Sequence, residues 1–225
     1  GTSPDAINLR AHDIESITAD HENRSASRNA GVVLSFAQQR LWFIHQLAPT
    51  SPAYNIAAAI ELTGALDLAA LERSIREVVR RHEVLRTRFV AVDGTPLQLI
   101  TDDCAVAIPL LDLSALPDPR RTEEADQILE REAATPFDLG KLPLLRIKLL
   151  KLGDQQHILA LTIHHIISDS WSMGVLFWEI TELYEAFSSG ESSPLPELEI
   201  QYSDYALWER RRLKADAIER QLSYW

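Results

Sequence analysis

Apolar and polar positions along the chain fall into two periods, one near 3.6 and one near 2, but only after residue 30. Residues 1–30 are polar, and Arg24-Ser25-Ala26-Ser27-Arg28-Asn29 reads as a flexible linker. A weak stripe of Ile7, Ile14 and Ile17 leaves a short docking element as the alternative for this leader. From Gly31 the pattern becomes globular. Ser35 is placed to cap a helix to about Leu47, with Ala37, Leu41 and Ile44 on one side. Residues 55–63 predict a strand. Asp67 caps a second helix, whose apolar stripe is Leu68, Leu71, Ile75, Val78 and Val79. Asp93-Gly94, between residues 84–92 and 95–100, predicts a hairpin. Residues 105–111 predict another strand. Asp118-Pro119 opens a helix to about Ala134, with Pro at its first position. Residues 144–151 and 157–163 predict two strands around the polar turn Gly153-Asp154-Gln155-Gln156. Residues 172–187 predict a helix with Leu176, Ile180, Leu183 and Phe187 inward and Gly190 beyond its end. A last helix starts near Ser203. With no internal repeat, hairpins and helices together predict an α/β or α+β fold, a mixed sheet flanked by helices.

Composition narrows the class. The 225 residues are 46% hydrophobic and 24% charged, which fits one large globular domain plus a tail. The net charge of −11 argues against a nucleic-acid partner. Cys104 stands alone, so neither an internal disulfide nor a thiolate cluster is available, which fits a reducing cytoplasm. Its expected role is that of a small buried hydrophobe. No apolar run is long enough for a membrane span, and the first thirty residues hold no signal core. The chain opens on Gly1 and closes on Ser223-Tyr224-Trp225, which reads as a piece of something longer. There is no GxSxG elbow, no GxxxxGK[ST] loop and no GxGxxG, so neither a nucleophilic enzyme nor a nucleotide binder is signalled.

One dense polar cluster remains: His164-His165-Ile166-Ile167-Ser168-Asp169-Ser170-Trp171-Ser172. Strand alternation puts His157, Leu159, Leu161, Ile163 and His165 on one face, and Ile158, Ala160, Thr162 and His164 on the other. The two histidines therefore point opposite ways. Three readings stay open: core histidines held by backbone hydrogen bonds, a metal site of two His and one carboxylate, which the opposed faces weaken, or a proton-handling base at a strand end.

The cluster resembles the HHxxxDG motif of nonribosomal peptide synthetase condensation domains, a motif shared with chloramphenicol-acetyltransferase-like acyltransferases. Ser35-Phe36-Ala37-Gln38-Gln39-Arg40-Leu41-Trp42 is similar to SxAQxR[LM][WF]. Arg81-His82-Glu83-Val84-Leu85-Arg86-Thr87-Arg88-Phe89 is similar to RHExLRTxF, and Tyr202-Ser203-Asp204-Tyr205-Ala206-Leu207-Trp208 to YxDYAxW. Four motifs in family order cover residues 31–225.

The resemblance implies an acyltransferase that forms an amide between donor and acceptor thioesters. Both are tethered to 4′-phosphopantetheine on carrier-protein partners, and the domain itself binds no metal or cofactor. It implies His165 as the functional histidine and His164 as structural. Asp169 is implied as a structural carboxylate paired with Arg86, or with Arg81 if the register differs. Ser170 replaces the motif's usual Gly; with Trp171 and Ser172 it is a candidate for the substrate tunnel. Trp42, Trp171, Tyr202 and Trp208 are expected to pack. The segment around Pro52-Ala53-Tyr54-Asn55-Ile56 favours domains joining an L-configured donor to an L-acceptor, or starter domains. Family domains are about twice this long, so residues 31–225 are expected to be the N-terminal lobe, with a C-terminal lobe and an adenylation domain as neighbours. An acyl-coenzyme A-dependent acyltransferase and a non-catalytic carrier-protein docking module are the competing functions.

Overall fold

The computed structural model describes residues 31–212. The expectations for residues 1–30 and for the chain beyond 212 lie outside the described residues. Strand β1 (Val32–Val33) leads into helix α1 (Phe36–Leu47), strand β2 (Asn55–Thr63) and helix α2 (Leu68–Arg81). A 3₁₀ turn (Glu83–Arg86) then enters strand β3 (Thr87–Val92), followed by β4 (Thr95–Ile100) and β5 (Leu110–Asp112). Helix α3 (Arg120–Ala134), strands β6 (Leu145–Gly153) and β7 (Gln156–His164), and helices α4 (Ser170–Ser188) and α5 (Tyr202–Arg212) complete the order. The strands form two sheets, β1-β4-β3 and β2-β7-β6-β5. Every pairing is antiparallel except β5 with β6.

Local chemistry explains most boundaries. The Asp67 carboxylate accepts from Ala70 N and opens α2. Asp93 and Gly94 both hold positive φ, 50° and 78°, as a two-residue hairpin turn between twisted strands requires. Helices α2 and α4 pack on each other and on β6 and β7, burying Leu71, Ile75, Val78, Leu145, Leu161, Ile163, Leu176, Ile180 and Leu183. A smaller cluster, Leu113, Ala125, Ile128 and Leu150, lies under α3. Among the described residues no helix is long and apolar enough to cross a membrane.

The structure corrects several expectations. Residues 105–109 form no strand; only Leu110–Asp112 pairs, in parallel with β6. Residues 83–86 turn as a 3₁₀ helix, fixed by Thr87 Oγ1 donating to Glu83 O at 2.7 Å. Pro119 sits one position before helix α3 rather than inside it, and α4 begins at Ser170, two residues early. On α1 the fully buried polar residue is Gln38, whereas Ala37 is exposed. Gln38 is tolerated there because Ser35 N donates to its Oε1 while its Nε2 donates to Gln98 Oε1 at 3.2 Å and to Ile166 O. Cys104 is half-buried, and burial raises its thiol pKa.

Helix α5 straps the end of the described chain back to its start. Tyr202 and Ser35 hydroxyls meet at 3.0 Å, Phe36 N donates to Glu209 Oε2 at 2.8 Å, and Arg210 Nε donates to Leu34 O at 2.7 Å.

Candidate functional site

Strand β7 runs inside the four-stranded sheet and delivers the two histidines to its end. His164 N donates to Leu144 O at 3.1 Å on one side, and His165 N donates to Tyr54 O at 2.8 Å on the other. The side chains then part. His164 is buried, edge-on to Phe137 at 6.1 Å and to His45 at 6.2 Å, and its Nδ1 accepts from Ile166 N at 3.0 Å. His165 is exposed and lines a cavity of about 330 Å³. Its Nδ1 lies 2.7 Å from Ser168 O. A carbonyl only accepts, so Nδ1 carries the hydrogen and Nε2 is left as the basic nitrogen of the neutral ring.

Burial, reinforced by the charges of His45 and His165, pushes the His164 pKa down to about 4. An unfolded histidine titrates near 6.5. Between those values the unfolded chain binds the proton and the folded chain does not. The stabilisation is therefore complete above pH 6.5 and is lost as pH falls toward 4, by roughly 3 kcal/mol in all. Urea unfolding of the wild type and of His164→Gln at pH 7.5 and pH 4.5 measures this. The variant is expected to lose less stability across the interval; equal losses would remove His164 as the cause.

Asp169 sits at the N-cap of α4. Its Oδ1 accepts from Ser172 N at 2.7 Å and from Ser172 Oγ at 2.6 Å. Burial alone would raise its pKa, but these two bonds outweigh burial and hold the carboxyl below the usual carboxylate range. The expected pairing with Arg86 is not formed. Arg86 reaches Thr101 O and Arg80 O and stands 3.8 Å from Glu83, lining a separate hollow beside Asp102 and Cys104. Arg81 is not the partner either: it grips Glu179. A carboxylate satisfied by its own helix's first turn needs no arginine. Asp169→Ala is accordingly expected to cost about 1 kcal/mol, the ordinary loss of an N-cap. Arg86→Ala should add to it independently; a clear coupling energy in the double-mutant cycle would restore the pairing.

Trp171 and Ser172 line the cavity with His165 and Asp169. Trp171 is 83% exposed, so it does not pack as expected; Trp42 does pack against the core. Ser170 is the exposed first residue of α4 and is not among the lining residues. Its φ is negative, so the position needs no glycine. The rest of the lining is largely apolar, including Leu41, Val84, Leu85, Ile163 and Leu176, with Arg40, His82, Gln201 and Tyr202 as polar members. Sequence reasoning misses His82 and Glu179, because the only signal is a pairing across 97 positions. No group of three or more His, Cys, Asp or Glu among the described residues is disposed to hold a metal ion.

Comparison with known proteins places this geometry. A linear gramicidin synthase polypeptide of Brevibacillus parabrevis is 45% identical over 199 residues, which cover 88% of this chain and 4% of that protein. The starter condensation domain of rhizomide synthetase superposes with a TM-score of 0.77 at 26% identity, covering 87% of this chain and 47% of that one. The X-domain from teicoplanin biosynthesis, solved in complex with OxyB, gives 0.75 at 31% identity, covering 87% and 41%. The chain thus spans about half the length of the solved structures it matches. The condensation-domain model matches residues 29–225, beginning two residues before the described fold and taking in every segment that shapes the His165 cavity; the chain belongs to the condensation-domain family.

Proposed function

We propose that this chain is the N-terminal half of a condensation domain in a nonribosomal peptide synthetase, acting in the cytoplasm. It forms an amide between a donor acyl or peptidyl thioester and an acceptor aminoacyl thioester. Both are carried on 4′-phosphopantetheine arms of carrier proteins. The observation that carries the reading is the His165 ring: locked through Nδ1 to Ser168 O, its Nε2 is the basic nitrogen of a largely apolar cavity.

The chemistry needs little else from this half. The acceptor amine attacks the thioester carbonyl, a C–N bond forms and the C–S bond breaks. His165 Nε2 takes the proton that the amine loses and returns it to the departing thiolate, so no proton is gained or lost overall. The thioester is already activated, and orientation supplies much of the acceleration. Two arms must therefore meet at near-attack distance, which calls for the walls of a complete domain.

The test is product analysis with a loaded donor and a loaded acceptor carrier. A complete domain that contains this chain is expected to yield the amide, and the 225-residue chain alone to yield none above a no-enzyme control. Transfer from soluble acyl-coenzyme A to a small acceptor would instead support the alternative acyltransferase. The 31% identity to the X-domain, solved with a protein partner, favours a second reading, a docking module. Carrier or partner binding without any amide formation by the complete domain would establish it.

A further inference from the structure

A second imidazole lines the His165 cavity, and the chemistry above does not use it. His82 follows the last turn of α2, and its Nε2 stands 2.9 Å from Glu179 Oε2 on α4. Glu179 is buried and gripped through both oxygens by Arg81, Nε at 3.2 Å and Nη2 at 3.1 Å, while Arg81 Nη1 donates to Pro196 O at 2.7 Å. Burial opposes charge on Glu179, yet the hydrogen bonds from His82 and Arg81 and the charge of Arg81 hold its carboxyl down to about 2. An ionised carboxylate only accepts, so His82 Nε2 carries the hydrogen. The neutral ring then keeps its lone pair on Nδ1, which has no partner among the described residues. The same cavity is lined by Val84, Leu85, Leu198 and Ile200, and by Gln201, whose side chain is occupied by Glu83 N and Arg81 O.

We propose that His82 is a positioning residue for the acceptor, its Nδ1 accepting a hydrogen bond from the amino group of the aminoacyl substrate in the cavity. The inference rests on the proposed condensation function and deepens it. The Arg81–Glu179 pair fixes the ring's tautomer and direction, as a carboxylate behind a histidine does wherever one ring nitrogen must be presented in a set state. An acceptor atom held at a fixed place gives the amine a preferred orientation, because a misplaced ammonium or amine would leave that N–H unpaired.

Two substitutions separate this role from a structural one. His82→Gln sets an amide nitrogen near the Nε2 position, so the link to Glu179 survives and the Nδ1 acceptor is lost. His82→Asn sets an oxygen near the Nδ1 position and loses the link to Glu179. Condensation is measured in the complete domain with a loaded donor and leucyl-N-acetylcysteamine thioester as soluble acceptor. His82→Gln is expected to raise the acceptor KM about tenfold, the effect of one lost hydrogen bond, and to lower kcat by less; His82→Asn should recover part of that KM. A wild-type KM in His82→Gln, or a KM in His82→Asn worse than in His82→Gln, would overturn the proposal. Titrating the same thioester into the complete domain while following the His82 ring nitrogens by NMR tells the two claims apart. A shift at Nδ1 without amide formation by the complete domain supports the site and refutes the condensation reading. Amide formation with a silent Nδ1 refutes the site alone.

Discussion

Replacing His165 by Ala in a complete domain that contains this chain is expected to lower amide formation by about 10²–10⁴-fold, the usual contribution of a positioned general base. The melting temperature should barely move. The His165 ring is exposed, and its one fixed bond goes to the Ser168 carbonyl, which water can satisfy in its place. The backbone bond from His165 N to Tyr54 O survives the substitution. His164→Ala should show the reverse profile. That ring fills a buried site between Phe137 and His45 and satisfies the Ile166 amide, so its loss leaves a cavity and an unpaired donor. Product yield and thermal unfolding, measured on the same two preparations, decide the matter. An active His165→Ala domain would remove the imidazole from the chemistry.

Glu179→Ala is expected to cost about 3–5 kcal/mol, because it strands Arg81 in the interior with a single carbonyl partner. The side chains of the pair retain only 2% and 4% of their exposure. A native domain has only about 5–15 kcal/mol in total, so the variant approaches the limit of folding. Removing both charges together, as Arg81→Met with Glu179→Leu, should restore much of the loss, since a buried pair often has an apolar equivalent of similar stability. Denaturant midpoints for the two single variants and the double variant measure the coupling. Strict additivity would mean that the two charges act separately.

These two cases show which parts of the molecule local sequence discloses. The Asp93-Gly94 turn, the Asp67 and Ser35 caps and the inward stripe of α4 are written in neighbouring residues, and each forms as expected. The opposite directions of His164 and His165 also follow from strand alternation alone. What stays hidden depends on partners distant in the chain. Gln38 reads as a surface residue until Gln98 and the Ile166 carbonyl, 60 and 128 positions away, supply its bonds. Arg81 and Glu179 look like ordinary surface charges until the packing of α2 on α4 encloses them, 98 positions apart. Family likeness pairs Arg86 with Asp169. The structure turns both residues to nearer partners, Arg86 to Thr101 and Asp169 to Ser172, although the Arg86 Nε stays buried without one. Residues 105–109 have the apolar content of a strand, but an open sheet edge accepts only three residues beside β6, so composition has no way to mark where pairing stops.

The strap of α5 across β1 has a topological consequence. With Arg210 bonded to Leu34 and Glu209 to Phe36, both ends of the described fold emerge from one spot on its surface. A connection made between those ends would be short and would run beside the bonds of α5 to β1 and α1, away from the central strands that hold His165. The fold can therefore be reconnected end to end and reopened at the Asp93-Gly94 tip without cutting the strands that hold His165.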